Sequence, residues 1–232
     1  PPGGWNGFTT LAEFYDLFEG DPQVNVPDSG QEERRGFVPT SGNNVQAGDL
    51  DEDGDGFEDG SYIGYGFLIN QQYDLDGSEL TDRTGNPLAF TKELPALVGN
   101  NERTGIRLLK YHPSDGAYPG NLIVFRYADA HLMKAEAIHR GGTSGESAIG
   151  LINELRELRE ATPLASITDQ DILDERGREL YMEFTRRQDQ IRFGTYTSTW
   201  SFKDNTEAFR VLFPIPSTAL TSNPNLVQNE GY

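Results

Sequence analysis

Cysteine is absent from this 232-residue sequence. Disulfide staples, thiolate nucleophiles and cysteine-held zinc are excluded with it, and no cysteine usage remains from which to read a redox compartment. Basic side chains are scarce too: 19 Lys and Arg stand against 37 Asp and Glu, a formal net charge of −18. An acidic excess of that size argues against nucleic acid and against direct adsorption to an anionic membrane surface. No apolar run is long enough to span a bilayer, and the chain starts at Pro1 with neither an initiator Met nor a charged-then-apolar leader. It therefore reads as a fragment. Histidine occurs only at His112, His131 and His139, and the last two sit eight apart, off the i, i+4 spacing of a helical zinc pair. All three are expected to be structural or solvated. No G-x-S-x-G elbow, phosphate-binding glycine loop or dinucleotide fingerprint occurs, and carboxylates are too many for a glycosidase pair to stand out. Nothing points to an enzyme.

What is present is a loop-rich globular chain of one large domain or two small ones. Apolar residues make up 35%, mean hydropathy is −0.60, and 26 Gly and 13 Pro punctuate the sequence. Charge is uneven along it: residues 1–100 carry 19 acidic and 4 basic side chains, the remainder 18 and 15. The periodic part runs from Arg126 to Gly194. There Phe125, Ala128, Leu132, Ala135 and Ile138 recur at helical spacing up to a Gly141–Gly142 stop. Ser144 is a cap for a second helix with an apolar stripe of Ala148, Leu151, Ile152, Leu155 and Leu158, ended by Thr162 and Pro163. Thr168 and Asp171 form a capping-box pattern ahead of a longer third helix lined by Ile172, Leu173, Leu180 and Phe184. Two helices joined by a few residues, then a third covering their stripe, is the packing logic of one helical-repeat unit. The dense charges of the third helix read as an ion-paired face.

The first hundred residues carry the candidate sites. From Trp5 to Glu19 a short helix is expected, with Thr10 and Glu13 as a capping box and Leu11, Phe14, Tyr15 and Phe18 on one face. Trp5 and Asn6 precede it in a glycine-flanked turn, where an indole can stack on the CH face of a sugar; the alternative is a ring that staples the helix entry. Asp21 to Gly48 reads as a long irregular connection holding the adjacent Arg34 and Arg35. Asp49 to Gly60, DLDEDGDGFEDG, places Asp49, Asp51 and Asp53 before Gly54, with an overlapping frame through Asp55. Alternate carboxylates in a turning loop supply the hard oxygens that calcium takes. The frame lacks the closing Glu of an EF-hand, so Glu58 or Asp59 completes the shell in this reading, against the alternative of a solvated acidic loop. Ser61 to Asn70 alternates as a strand, its glycines allowing close approach by a partner strand or by a sugar. Asp74, Asp76, Glu79 and Asp82 are spaced too poorly for a second metal loop. Ile106 to Tyr111 reads as a short strand. Trp200, in TYTSTWSFKDN, is a further stacking candidate or a loop anchor.

Taken in order, RYADAHLMKAEAI, INELRELR, ILDERGRELYMEFTRRQDQIRFG, FPIPSTAL and NPNLVQNEGY resemble the C-terminal half of the SusD/RagB family, from Gly105 to Tyr232. WNGFTTLAEFYDLFE resembles the segment by which that family enters its variable half. The resemblance implies a mainly α fold with tetratricopeptide-type helical packing, long irregular loops and a few short strands. It divides the chain into a loop-rich, ligand-facing region, 1–104, and a helical region, 105–232. It also implies a surface-exposed outer-membrane lipoprotein, anchored by an N-terminal lipid missing from this chain. The implied function is capture: oligosaccharide is held, without bond chemistry, and handed to a SusC-like TonB-dependent transporter. Trp5, Asn6 and Trp200 are then the ligand candidates, and calcium at Asp49, Asp51, Asp53, Asp55 and Asp59 would stiffen their loop. Peptide is the alternative cargo, and a calcium-ordered scaffold or adhesin the alternative without a small ligand. The FPIP and NPNLVQNEGY segments are expected to lie across the helices as a belt.

Overall fold

A computed structural model of the chain describes residues 8–25, 30–38, 65–74, 78–110 and 123–232. The fold is mainly α, with a few short strands and, among the described residues, no closed sheet. Its elements are α1 (Ala12–Tyr15), a 3-10 turn (Glu33–Arg35), β1 (Gly36–Phe37), β2 (Tyr65–Leu68), β3 (Asn70–Gln71), β4 (Ala89–Phe90) and β5 (Arg107–Leu109). There follow α2 (Tyr127–His139), α3 (Ala148–Leu158), α4 (Asp169–Leu180), α5 (Arg186–Arg192), a second 3-10 turn (Ala208–Val211) and α6 (Ser217–Ser222).

Local chemistry sets most of the helix ends. The Thr168 side chain accepts from the Asp171 N–H while the Asp171 carboxylate accepts from the Thr168 N–H at 2.7 Å, the reciprocal box expected there. Helix α2 closes as read, with the Gly142 N–H returning to the Ala137 carbonyl at 2.8 Å. Helix α3 is capped by Ser147, whose hydroxyl accepts from Gly150 N–H, and not by Ser144, which serves the N–H of Glu146. Nor does the Thr10–Glu13 box form. The Thr10 N–H bonds Ile106 O at 3.1 Å, the Glu13 carboxylate accepts from Ser201, and Leu11 stands at the cap position without a side-chain bond.

Two apolar cores result. One packs Leu132 and Ala135 of α2 against Leu151, Ile152 and Leu155 of α3. Phe125 is left outside that stripe, 78% exposed ahead of the helix. The other gathers Tyr15, Phe18, Phe67, Ile69, Ile106 and Tyr181 around Phe67, whose ring centre lies 4.7 Å from Phe18 and 5.1 Å from Tyr181. Tyr181 explains why the third helix is shorter than its periodicity predicts. Its ring is drawn into this second core, the chain leaves helical geometry at Tyr181, and Met182 and Phe184 take left-handed φ of 62° each. Phe184, expected on the buried face, is 81% exposed. Tertiary packing has overridden helical continuation.

The second core rests on a three-stranded antiparallel sheet ordered β1-β2-β5, with Gly36 opposite Gly66 and Phe67 opposite Leu108. Gly66 has φ +77°, and a Cβ there would strike the Arg35 carbonyl. The close approach at Gly66 is therefore made by a neighbouring strand. The β3-β4 hairpin stands apart, prolonged by bridges Tyr73–Glu79 and Thr81–Pro87.

Helix α4 joins the two cores through charges. Glu175 is fully buried and its carboxylate takes Arg34 at 2.7 Å, Arg156 at 2.8 Å and Arg178 at 2.5 Å. Glu179 takes Arg126 at 2.6 Å, Arg159 at 3.0 Å and Arg34 at 3.3 Å; Glu183 takes Lys110 at 2.5 Å and Arg126 at 2.8 Å. Burial alone would raise the Glu175 carboxyl, but Arg34, Arg178 and Arg156 hold it down to about 2. The charged run is thus ion-paired, as read, but it forms a core and not a solvated face.

The C-terminal segment folds back on itself more than across the helices. Gln228 pairs with the backbone of Ile215 at 2.8 and 3.0 Å, Asn229 donates to Phe213 O, and Tyr232 donates to Leu212 O at 2.8 Å. Its link to α5 is Arg187, which donates to Arg210 O and Val211 O with its guanidinium 3.9 Å from the Phe213 ring centre.

Candidate functional site

Of the expected ligand residues, Trp200 is the one within the described residues; Trp5 and Asn6 lie outside them. Trp200 opens a tight turn closed by backbone bonds with Lys203 in both directions, Phe202 having φ +62° at its tip. The turn brings the Lys203 ammonium 4.2 Å from the indole centre and 5.6 Å from that of Tyr196, while Lys203 also donates to Ser198 O and Asn205 O. Tyr196 meets Trp200 edge-on at 6.4 Å, and Arg187 lies 4.8 Å from the Tyr196 ring. This is a ring held by a cation and by an aromatic edge, half-buried, with part of its surface still open. Next to it, Ser201 donates through both its N–H and its hydroxyl to the Glu13 carboxylate, at 3.2 and 3.0 Å. The Trp200 loop is therefore tied to α1, the helix that follows Trp5 in sequence. The three-residue spacing from Trp200 to Lys203 was visible in the sequence, but the turn that makes it a contact was not.

The acidic loop Asp49, Asp51, Asp53, Asp55 and Asp59 also lies outside the described residues, as do Asp76 and His112. Among the described residues there is no group of three His, Asp or Glu able to hold a metal. His131 reaches Leu151 O at 2.8 Å and His139 reaches the Asp169 carboxylate at 2.9 Å, both structural contacts. In the second acidic stretch, Asp82 closes a turn by accepting from Thr84 and Asn86 and pairs with Arg103 at 3.0 Å. Thr84's hydroxyl, foremost, holds the Asp82 carboxyl below its usual range. A polar cleft of about 580 Å³ opens beside it, lined by Asp82, Arg83, Thr84, Asn101, Glu102 and Arg103. Sequence reading missed this cleft because its two sides come from turns that are separate in the chain.

No helix among the described residues is long and apolar enough to cross a membrane. The family model for the SusD family matches residues 2–211. The chain belongs to the SusD family. Over 147 residues it is 37% identical to the starch-binding protein SusD of Bacteroides thetaiotaomicron, a match covering 55% of this chain and 26% of that protein. It is 33% identical over 173 residues to the SusD-like protein P38 of Formosa agariphila, covering 68% of this chain and 34% of that one. A second protein of the same organism, SusD-like protein P25, is 35% identical over 132 residues, 48% of this chain and 25% of the relative. The alignments thus take in about a quarter to a third of each relative's length. Within the SusD-family chain the match takes in α1, the strands, the buried charge cluster and the Trp200 loop.

Proposed function

We propose that this SusD-family chain is part of a cell-surface protein that captures oligosaccharide or polysaccharide and delivers it to a SusC-like TonB-dependent outer-membrane transporter, breaking no bond itself. The observation that carries the reading is family membership over residues 2–211 together with identity to a relative named for binding starch. The anchored outer-membrane location and the transporter partner belong to the same proposal. Within it, the loops of residues 1–104 face the ligand, and Trp5, Asn6 and the Trp200 ring meet the sugar by stacking and hydroxyl hydrogen bonds. Cation and aromatic contacts that fix the Trp200 ring in advance support this role, since a ring already ordered loses little entropy on binding. Asp49, Asp51, Asp53, Asp55 and Asp59 hold a calcium ion in this proposal, stiffening the acidic loop.

The test is a binding screen of the full-length protein in calcium buffer against immobilised polysaccharides and a peptide pool side by side, with Trp5→Ala and Trp200→Ala beside the wild type. One glycan class retained by the wild type and lost with either ring supports capture. Peptides retained in place of glycans overturn the carbohydrate reading, and silence from both overturns capture. The metal is tested separately: chelation must lower the melting temperature and open residues near Asp53 to protease.

A further inference from the structure

Arg34 and Arg35 are neighbours in sequence and both are buried, yet they are treated oppositely. Arg34 meets three carboxylates, those of Glu32, Glu175 and Glu179. Arg35 is 1% exposed and, among the described residues, has no carboxylate within ion-pair distance. Its guanidinium is held by neutral groups: Nη2 donates to Asp21 O and Val24 O at 2.6 Å each and to the Tyr15 hydroxyl, and Nη1 to Glu19 O at 3.4 Å. Its Cζ lies 4.4 Å from the Tyr15 ring centre. The nearby Asp21 carboxylate is turned into its own loop, accepting from Gln23 N–H at 2.9 Å. Among the described residues the buried Arg35 Nε has no hydrogen-bond partner. An arginine cannot shed its charge, so a full positive charge is kept out of water with no carboxylate among the described residues to pair with it.

The chain is built to hold it there. Gly20 has φ +136°, and a Cβ at that position would collide with the guanidinium, so a side chain has been given up to make room. Arg35 lines a cavity of about 320 Å³ whose other walls include the apolar surfaces of Tyr15, Phe18 and Pro22. At its rim stands Lys92, paired with Asp16 at 2.7 Å, the Asp16 side chain being 44% exposed. In the first hundred residues, which hold only 4 basic side chains, two of them line this one cavity.

We infer that this cavity binds an anionic oxygen group, a carboxylate or a sulfate ester, carried on a sugar unit of the captured glycan. Lys92 gives the direct charge contact, leaving Asp16 for the ligand. Arg35 supplies the fixed positive field of the cavity floor, strengthened by the low dielectric around it. Of its apolar walls, Tyr15 and Phe18 are buried in the aromatic core, and exposed Pro22 is the apolar surface a sugar ring would meet. This rests on the glycan-capture reading and narrows it to acidic sugars.

The test is calorimetric titration of the intact protein with oligogalacturonate, a sulfated oligosaccharide and a neutral malto-oligosaccharide of matched length, together with free galacturonate. Arg35 holds a loop together, so the diagnostic changes are made at the rim. Lys92→Gln is expected to weaken the acidic ligand about tenfold, as a lost charge-assisted contact. Asp16→Asn, which frees the ammonium from its competitor, is expected to tighten the same ligand several-fold and to leave the neutral one unchanged. The response of oligogalacturonate against that of the sulfated sugar tells which group is read. Acidic sugars that bind no better than the neutral one, or that ignore both substitutions, overturn the site while capture stands. Free galacturonate bound with both responses, with no oligosaccharide retained, overturns capture while the anion site stands.

Discussion

The helical region and the strand region of this molecule use charge in opposite ways. In α4 and the turn that follows it the acidic side chains Glu175, Glu179 and Glu183 are buried and each is met by at least two basic groups. In the first hundred residues 19 carboxylates face 4 basic groups, and Glu19, Glu33 and Asp82 find their arginines, Arg156, Arg159 and Arg103, beyond that segment. The first arrangement specifies a fold: each arginine fork fits carboxylates in one geometry only, and Arg34 and Arg156 reach α4 from positions 141 and 19 residues away in the chain. The second leaves net negative charge to be balanced by something other than the chain's own side chains. Position decides which role a carboxylate plays.

Breaking the buried cluster carries the largest expected effect. Glu175→Gln removes the negative charge shared by Arg34, Arg156 and Arg178 and leaves three cations in the interior, at a cost of about 3–5 kcal/mol. Urea denaturation measures it. The contrast is Glu207→Gln: its pair with Arg210 faces water, and the denaturation midpoint is expected to stay where it is. Equal effects at the two positions would dissolve the distinction between core and surface charge.

Acid probes the same cluster without mutation. The Glu175 carboxyl lies at about 2 in the folded protein against an ordinary value of 4.5. A lowered pKa means that its stabilisation is complete above pH 4.5 and is lost as pH falls toward 2, a difference of about 3 kcal/mol. Glu179 and Glu136 are lowered too, despite burial, by their arginines, and so add to the loss. Glu32 acts the other way, since burial raises its carboxyl in spite of Arg34; its contribution is present at low pH and fades as pH rises. The melting temperature should therefore fall between pH 4.5 and 2, and Glu175→Gln should flatten that slope.

The strand region breaks by sterics instead of charge. Gly66→Ala must place a Cβ against the Arg35 carbonyl from a backbone at φ +77°, a change expected to cost about 2–4 kcal/mol. Because β1 is paired there, the signature is loss of hydrogen-exchange protection across Gly66 and Leu109 while the protection of α2 and α3 persists. Loss spread evenly over the chain would mean that the two regions unfold as one.

What the sequence makes legible is what is settled locally. The Thr168–Asp171 box, the Gly141–Gly142 stop and the α2–α3 stripe each depend on residues within a turn or two, and each stands where periodicity and capping place it, save that Phe125 and Leu158 at the ends of the stripe are exposed. The end of α4 was not legible, because the helical pattern runs on through Phe184 and only the distant Phe18 and Phe67 pull Tyr181 out of it. The same holds for Glu175: seven charges in one twelve-residue helix look solvated to any local rule, and the partner Arg34 lies in what reads as an irregular loop. Trp200 was identified as a candidate by residue type alone; the Lys203 contact and the tie from Ser201 to Glu13 need the folded turn.

The smallest effect separates two serines three residues apart, Ser144, expected from the sequence to cap α3, and Ser147, which does. Ser147 accepts from the Gly150 N–H, one of the helix's orphan donors, whereas Ser144 bonds only the Glu146 N–H in the loop. Ser147→Ala should then cost about 1 kcal/mol, and Ser144→Ala no more than a few tenths. The reason for the choice is packing: starting α3 at Ala148 buries Ala148, Leu151 and Leu155 on the α2 side. Extending it back to Ser144 would add only residues that stay exposed, so nothing offsets their ordering entropy. Thermal unfolding of the two variants tests this directly, and a larger loss at Ser144 would mean that local capping, not burial against α2, sets where the helix begins.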